Sequence, residues 1–225
     1  MNYIIATIKS WNLSYFKKIK KSNKENHWFL ISKKENLTFD RVKKINPRYI
    51  FFPHWSWIIP EEIWKNYECV VFHMTDLPYG RGGSPLQNLI IRGHKKTKIS
   101  SLKVGQGMDT GGIYLKRDLS LHGNAEEIYK RAAKIIFFQM IPSIIKNNLF
   151  PQKQVGRAIV FRRRNPKQSK ILNNMDLKKT YDLIRMLDAE GYPKAFLDTK
   201  RLKIEFSKAK IKKNKLLANV EIYEK

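Results

Sequence analysis

His73 ends the apolar run "CVVF" and is followed by Thr75, Asp76, Pro78 and three glycines, Gly80, Gly82 and Gly83. Asp109 stands thirty-six positions further on, in "GMDTGG". An imidazole exchanges a proton close to neutral pH, and a carboxylate beside it would orient the ring and support its basicity. Both residues also have plain structural readings, His73 as a hydrogen-bonded core side chain and Asp109 as a turn former between glycines. Local context leaves those alternatives open. Other chemistries find no support: "GRGGSP" is not a G-x-x-x-x-G-K-[ST] phosphate loop, Gly105, Gly107 and Gly111 lack dinucleotide-fingerprint spacing, and no G-x-S-x-G stretch exists. Cys69 is the single cysteine and reads as a buried thiol with no partner for a disulfide or a metal.

The elements that must hold these residues follow from hydrophobic period. "YIIATI" (3–8), "WFLIS" (28–32), "YIFF" (49–52) and "CVVF" (69–72) are short apolar runs that read as buried strands. Between them lie stretches of helical spacing at 12–21 and 37–45, and "PEEIW" (60–64) has Pro in its first turn. Apolar strands alternating with helices predict a Rossmann-like α/β fold, a mostly parallel sheet with helices on both faces. Further on, the spacing predicts a helix at 85–93, strands at 97–104 and 112–121, and one long helix over 124–147 with Pro142 late in it. From 156 a tail with β character follows, including a helix near 176–188. The expected division is a core over 1–155 and a short C-terminal β-containing appendage over 156–225. In an open parallel sheet, ligands bind beyond the carboxyl ends of the strands, where His73 and its glycine-rich exit lie.

Bulk composition bounds the class of protein. With 42% hydrophobic and 12% aromatic residues the chain has enough apolar material for a folded core. No apolar run approaches the ~18 residues that span a bilayer, so no membrane partner and a cytoplasmic location are expected. Lys and Arg outnumber Asp and Glu by 45 to 19, for a net charge of +26. Such an excess marks some polyanion-binding surfaces. Here the lysines are scattered among Ile and Asn, a mixture that an AT-rich coding sequence also produces, and a solvated lysine surface is the expectation.

Taken together, "HMTDLPYGRGGSPL" and the later "MDTGGI" resemble the folate-dependent formyltransferases, a family of tRNA, ribonucleotide and nucleotide-sugar enzymes. His73, Leu77, Pro78, Arg81, Gly82, Pro85, Asp109 and Gly111 fit the family pattern, with Thr75 in place of its Ser. The resemblance implies formyl transfer from N10-formyltetrahydrofolate to a primary amine without a metal, with His73 and Asp109 as catalytic residues. It implies a pteridine site at "PHWSW", Pro53, His54, Trp55, Ser56 and Trp57, joined by Gly107 and Met108. On the acceptor side it implies Ser10, Trp11 and Asn12 after the first strand, Thr75, Asp76, Tyr79, Arg81 and Gly82 in the motif, and Arg163 in the run "FRRRNP". Without the resemblance "PHWSW" reads as a packed aromatic loop, Trp11 as core and the arginines as solvated surface.

The chain departs from the pattern at two positions. The family asparagine two residues before the histidine is Val71, and a position usually Leu is Asp76. Either the oxyanion is stabilised by His73 and a backbone N–H of "TDLPYG", or the fold is a catalytically silent basic binding module.

Length orders the possible acceptors. The tRNA enzymes carry a β-barrel domain after their core, and the 54 residues from 172 to 225 are too few for a helix and such a barrel. The expected acceptor is therefore a nucleotide-linked 4-amino-deoxysugar, UDP- or dTDP-linked, in surface-glycan biosynthesis. That reading sets nucleic acid aside as a partner and leaves a homodimer open. Aminoacyl-tRNA is the alternative acceptor.

Overall fold

The computed structural model describes residues 1–225 and divides into two compact units, each built from several chain segments. The first comprises Met1–Arg81, Lys98–Leu119 and Lys130–Val160, and the second Gly82–Thr97, Ser120–Tyr129 and Phe161–Lys225. The chain therefore passes from one unit to the other five times.

The first unit is organised by a six-stranded sheet. Its strands are β1 (Asn2–Ala6), β2 (His27–Ile31), β3 (Tyr49–Phe52), β4 (Cys69–His73), β6 (Lys96–Lys103) and β7 (Ile113–Ser120), in the order β2-β1-β3-β4-β6-β7. The first four neighbours are parallel and β6 runs antiparallel to β4. This is the mostly parallel α/β sheet expected from the apolar runs. Two short strands, β5 (Tyr79–Gly82) and β8 (Ile159–Phe161), pair apart from it.

Alternation divides the side chains between two faces. On one face Ile4, Ala6, Ile50, Phe52 and Cys69 pack with Val42 of α2 (Phe39–Ile45) and Ile63 of α3 (Glu61–Asn66), all fully or nearly fully buried. The other face carries an aromatic row: Tyr3 lies 4.9 Å from Trp28, Tyr49 5.5 Å from Phe51, and Phe51 6.4 Å from Phe72 between ring centroids. Thr38 caps α2 by accepting the Arg41 N–H, and Asn46 ends it in the left-handed region that tolerates Asn.

The single long helix expected over 124–147 is three segments. An α-helix, α5 (Ala125–Ile135), runs into a π-helical turn over Ile136–Met140 and then α6 (Ile141–Asn147). Pro142 accounts for the break, because it has no N–H to continue the ladder and its ring crowds the preceding turn. The wide turn carries Phe137 and Phe138, whose rings lie 5.8 and 5.5 Å from Tyr15 of α1 (Ser10–Ser22).

In the second unit α4 (Pro85–Ile91) and α7 (Leu177–Leu187) accompany a three-stranded sheet ordered β11-β10-β9. Its strands, β9 (Ala195–Asp198), β10 (Leu202–Lys212) and β11 (Lys215–Glu224), are all antiparallel. Asp188, 6% exposed, accepts from Lys194, Asn124 and the Lys208 N–H, which ties the end of α7 to the strand beside it.

Close backbone approach fixes the "DTGG" loop of the first unit. A methyl group added at Gly111 would lie 1.8 Å from the Lys103 carbonyl oxygen of β6, a backbone atom with no rotamer by which to retreat. Gly111→Ala is therefore expected to destabilise the protein by ~1–3 kcal/mol in chemical denaturation, the usual range for forced overpacking.

Candidate active site

Strand order places a crevice before any side chain is considered. The chain leaves β1 for β2 on one side and returns to β3 on the other, so connections diverge beyond the carboxyl ends of β1 and β3. Polar groups fill this point. Thr7, just after β1, donates its hydroxyl to the Pro53 carbonyl at 2.7 Å, and the Asn12 amide donates to Thr7 Oγ1 at 2.7 Å. The same amide nitrogen lies 3.2 Å from His54 Nδ1. Since Asn12 Nδ2 can only donate, His54 Nδ1 is the unprotonated nitrogen of a neutral ring. Burial, assisted by the positive charge of Lys9, pushes the His54 pKa from 6.5 down to about 4. His54 also has a positive φ of 55°, an uncommon conformation for its residue type, and Trp11 meets its ring edge-on at 6.1 Å.

His73 occupies the end of the next strand, 9% exposed. Its Nε2 lies 2.7 Å from the Gly80 carbonyl oxygen and its Nδ1 3.4 Å from Asp109 Oδ2. Each ring nitrogen thus faces an oxygen, one of a backbone carbonyl and one of a carboxylate. The Gly80 carbonyl also accepts the Thr75 hydroxyl at 3.3 Å. Asp109 has a positive φ of 55°, in a loop where the Thr110 hydroxyl donates back to the Gln106 carbonyl at 2.8 Å. The structure thus brings together the histidine and carboxylate that stood thirty-six residues apart in sequence.

The exit loop after β4 is held from inside. Ser100 of β6 donates to the Thr75 carbonyl at 2.7 Å and accepts the Leu77 N–H at 3.3 Å. The Leu77–Pro78 peptide is cis, and the Tyr79 N–H closes a turn onto the Asp76 carbonyl at 3.1 Å. Leu77 and Tyr79 thus spend their N–H groups within the protein and Pro78 has none. Thr75 is fully buried with its hydroxyl turned inward, and the Asp76 carboxylate pairs with Lys116.

Other expected positions are distributed as follows. Trp55 and Trp57 meet edge-on at 4.9 Å between centroids, and Trp55 meets Phe52 at 5.9 Å. Trp55 packs against the same core face as Val71, and by strand alternation His73 emerges on that face too. Ser56 and Trp57 are exposed, as is Met108 beside Gly107, whose φ is 92°. Ser10 opens α1 at the surface, followed by the buried Trp11 and Asn12. Arg81 directs Nε and Nη2 to Gln154 Oε1 at 3.1 and 2.8 Å. Gly82 and Arg163 belong to the second unit, where Gly83 lies so close to the Arg163 backbone that an added methyl would stand 2.6 Å from its Cα. Neither Gln154 nor Thr7 was marked by sequence, and Gly80 was marked only as a glycine of the exit, not for its carbonyl. Gln154 sits in "PQKQVGR", which carries no motif, and Gly80 acts through a carbonyl that every residue has.

Similarity to known proteins decides the family. Residues 166–223 match the family model described as the methionyl-tRNA formyltransferase C-terminal domain. A solved structure, the methionyl-tRNA formyltransferase from Clostridium thermocellum, is 59% identical, with a TM-score of 0.99 and complete coverage of both chains. The chain belongs to the methionyl-tRNA formyltransferase family. The curated methionyl-tRNA formyltransferase of Rickettsia canadensis is 29% identical over 150 residues, 64% of this chain and 50% of its own length. This chain thus spans about half the length of that relative. A sugar N-formyltransferase from Shewanella shares the fold at a TM-score of 0.68, with 14% identity.

These likenesses overturn the expected nucleotide-linked amino sugar, its place in glycan biosynthesis, and the exclusion of a nucleic-acid partner. Length does not separate the acceptors, because the Clostridium thermocellum structure is matched over its whole chain by this one. Residues 166–223, which match the C-terminal model, hold one α-helix and three antiparallel strands. No helix is long and apolar enough to cross a membrane.

His54 gives the site a pH signature in stability. The unfolded chain binds its proton near the ordinary 6.5 and the folded chain only near about 4, so falling pH favours the unfolded state across that interval. Stability present above pH 6.5 should decline by up to ~3 kcal/mol as pH falls to about 4. His54→Asn, which tolerates the positive φ and does not titrate, should flatten that part of a plot of unfolding free energy against pH.

Proposed function

We propose that the chain transfers a formyl group from N10-formyltetrahydrofolate to the amine of methionyl-tRNA. The observation that carries this reading is the His73 ring held between Asp109 and Gly80 at the end of β4, in a chain alike over its full length to a protein named for that reaction. The aromatic loop fits a flat pteridine: Trp55 presents a buried indole N–H with no hydrogen-bond partner, beside the exposed Trp57. Bound there, the folate would supply an activated formyl carbon and a nitrogen able to leave. Gly107 and Met108 would border it, together with Pro53, His54 and Ser56.

The residues of the chain do the rest. A primary amine attacks only when neutral, and it must shed a proton as its bond to carbon forms. With its own proton on Nδ1 toward Asp109, His73 accepts the amine proton through Nε2, whose new N–H the Gly80 carbonyl can hold until the proton passes to the departing nitrogen. Asp109 holds the ring through Nδ1 and stabilises the imidazolium formed in between. Developing charge on the formyl oxygen is met by a backbone N–H of "TDLPYG", in place of the family asparagine. One preorganised donor of this kind contributes ~2.7–4 kcal/mol to the transition state. Arg81 and Tyr79 are on the acceptor side, with Ser10, Trp11 and Asn12. Arg81 suits a phosphate of the tRNA end, and Arg163 is assigned to the same polyanion. Thr75 acts through Gly80 rather than on substrate, and Asp76 anchors the loop to Lys116.

Incubating the protein with N10-formyltetrahydrofolate and methionyl-tRNA, and following formylmethionine by mass spectrometry after deacylation, tests the reading directly. His73→Ala should remove transfer while leaving the melting temperature close to wild type. Asp109→Asn should lower kcat by on the order of a hundredfold or more with little change in folate affinity, as expected of a group acting in the transition state. Affinity for tRNA should fall steeply between ~50 and ~200 mM salt, because several phosphates release counterions on binding.

Val71 separates an altered active site from a silent one. It is packed against the core cluster between Phe52 and Leu102, and an amide placed there has no partner in view. Val71→Asn should leave kcat unimproved and destabilise the domain by ~1–3 kcal/mol. A wild type without turnover, awakened by Val71→Asn, would instead identify a binding module that lost its oxyanion donor.

A further inference from the structure

Gln154 is a polar side chain outside the described catalytic pair, and its hydrogen bonds converge on both sides of it. Its carbonyl oxygen accepts two bonds from one guanidinium, Arg81 Nε at 3.1 Å and Nη2 at 2.8 Å. Its amide nitrogen donates two more, to the Asp109 and Gly111 carbonyl oxygens, each at 2.8 Å. An Asn or Gln amide has two acceptor sites and two donors, so this side chain is saturated. All four bonds lie within the first unit, and they join two segments far apart in sequence, Arg81 and the loop of Asp109 and Gly111.

The loop needs such a support. Asp109 holds a positive φ of 55°, a conformation that costs a non-glycine residue energy, and its side chain must reach His73 from there. Gly111 is pressed against the Lys103 carbonyl on one side, and the Gln154 amide grips the carbonyls of Asp109 and Gly111 on the other. A shift of these two carbonyls would carry the Asp109 carboxylate away from His73 Nδ1.

We infer that Gln154 is a positioning residue that sets the Asp109 loop against His73 and, through its opposite end, orients Arg81 toward the acceptor. It touches no reacting atom. Its two ends act on different steps: the amide nitrogen on the chemistry, by way of Asp109, and the carbonyl oxygen on acceptor binding, by way of Arg81. The roles of Asp109 and Arg81 come from the proposed function, and the inference rests on that reading.

Two substitutions separate the ends. Gln154→Glu keeps an acceptor for Arg81 but has no donor for the two carbonyls. Gln154→Leu has neither. With N10-formyltetrahydrofolate and methionyl-tRNA, Gln154→Glu should lower kcat by about tenfold to a hundredfold, the scale of effect of a small misplacement of catalytic groups, with KM for the tRNA little changed. Gln154→Leu should lower kcat similarly and also raise that KM. Hydrogen exchange of the Thr110, Gly111 and Gly112 amides, which needs no substrate, should quicken in both variants while exchange in β1 and β3 stays as in wild type. If exchange in the loop quickens in a protein that does not formylate methionyl-tRNA, the functional reading fails and the loop support stands. If exchange there is unchanged, or if both variants lower only the melting temperature and leave kcat and KM as they were, Gln154 does not position the site.

Discussion

Strand β1 pairs in parallel with β2 on one side and β3 on the other, and most of the molecule's chemistry follows from that pairing. Tyr3, Ile4, Ile5 and Ala6 are buried on both faces, so the strand has no edge and no wet side. The chain must therefore leave and return in opposite directions beyond the carboxyl ends, where backbone carbonyls and a helix start are exposed to each other and away from water. Buried polar groups in such a place have to find partners or forfeit stability. Thr7, Asn12, the Pro53 carbonyl and His54 are the groups that do so. His54 contributes as a neutral acceptor, and its lowered pKa is the consequence of serving there.

One strand over, the same geometry yields a different histidine. His73 also ends a parallel strand, yet its neighbours are a carboxylate and a carbonyl rather than an amide nitrogen. A donor at Nδ1 favours the neutral ring of His54, whereas both nitrogens of His73 face oxygen acceptors. The fold thus holds two histidines at neighbouring strand ends, one kept neutral by burial and one set between a carboxylate and a carbonyl. The proposed proton transfer uses the second.

Much of this was legible in the sequence, and the parts that were not share a cause. Apolar runs fixed β1 to β4 within a few residues, because a strand buried on both faces has nowhere to hide a polar side chain. His73 and Asp109 were found by motif. Gln154 and the use of the Gly80 carbonyl were missed, since hydrogen bonds to backbone carbonyls leave no pattern in residue type. The π-helical turn at Ile136–Met140 was read as helix because its period differs from α only locally, although Pro142 marked the place. Composition misled most over the acceptor: scattered lysines look alike whether they face solvent or phosphate, and a length comparison decided a question that the residues of the tail answered differently.

Val71 shows how a fold can outlast one of its own chemical groups. Positions 71 and 73 lie on the same face of β4, but residue 71 is flanked by β3 and β6 and faces the core cluster, while His73 stands where the strand opens. A valine there contributes packing and no hydrogen bond. His73 differs, because its ring reaches from β4 to both the Gly80 turn and the Asp109 loop. Loss of the asparagine therefore leaves the surrounding geometry standing, with the N–H groups of the exit loop as its substitute. That loop is fixed independently by Ser100 and Lys116, which do not depend on residue 71. Because those anchors lie on β6 and β7, the exit loop keeps its shape whichever side chain stands at position 71, and any charge-stabilising group it offers is a backbone group that residue type does not mark.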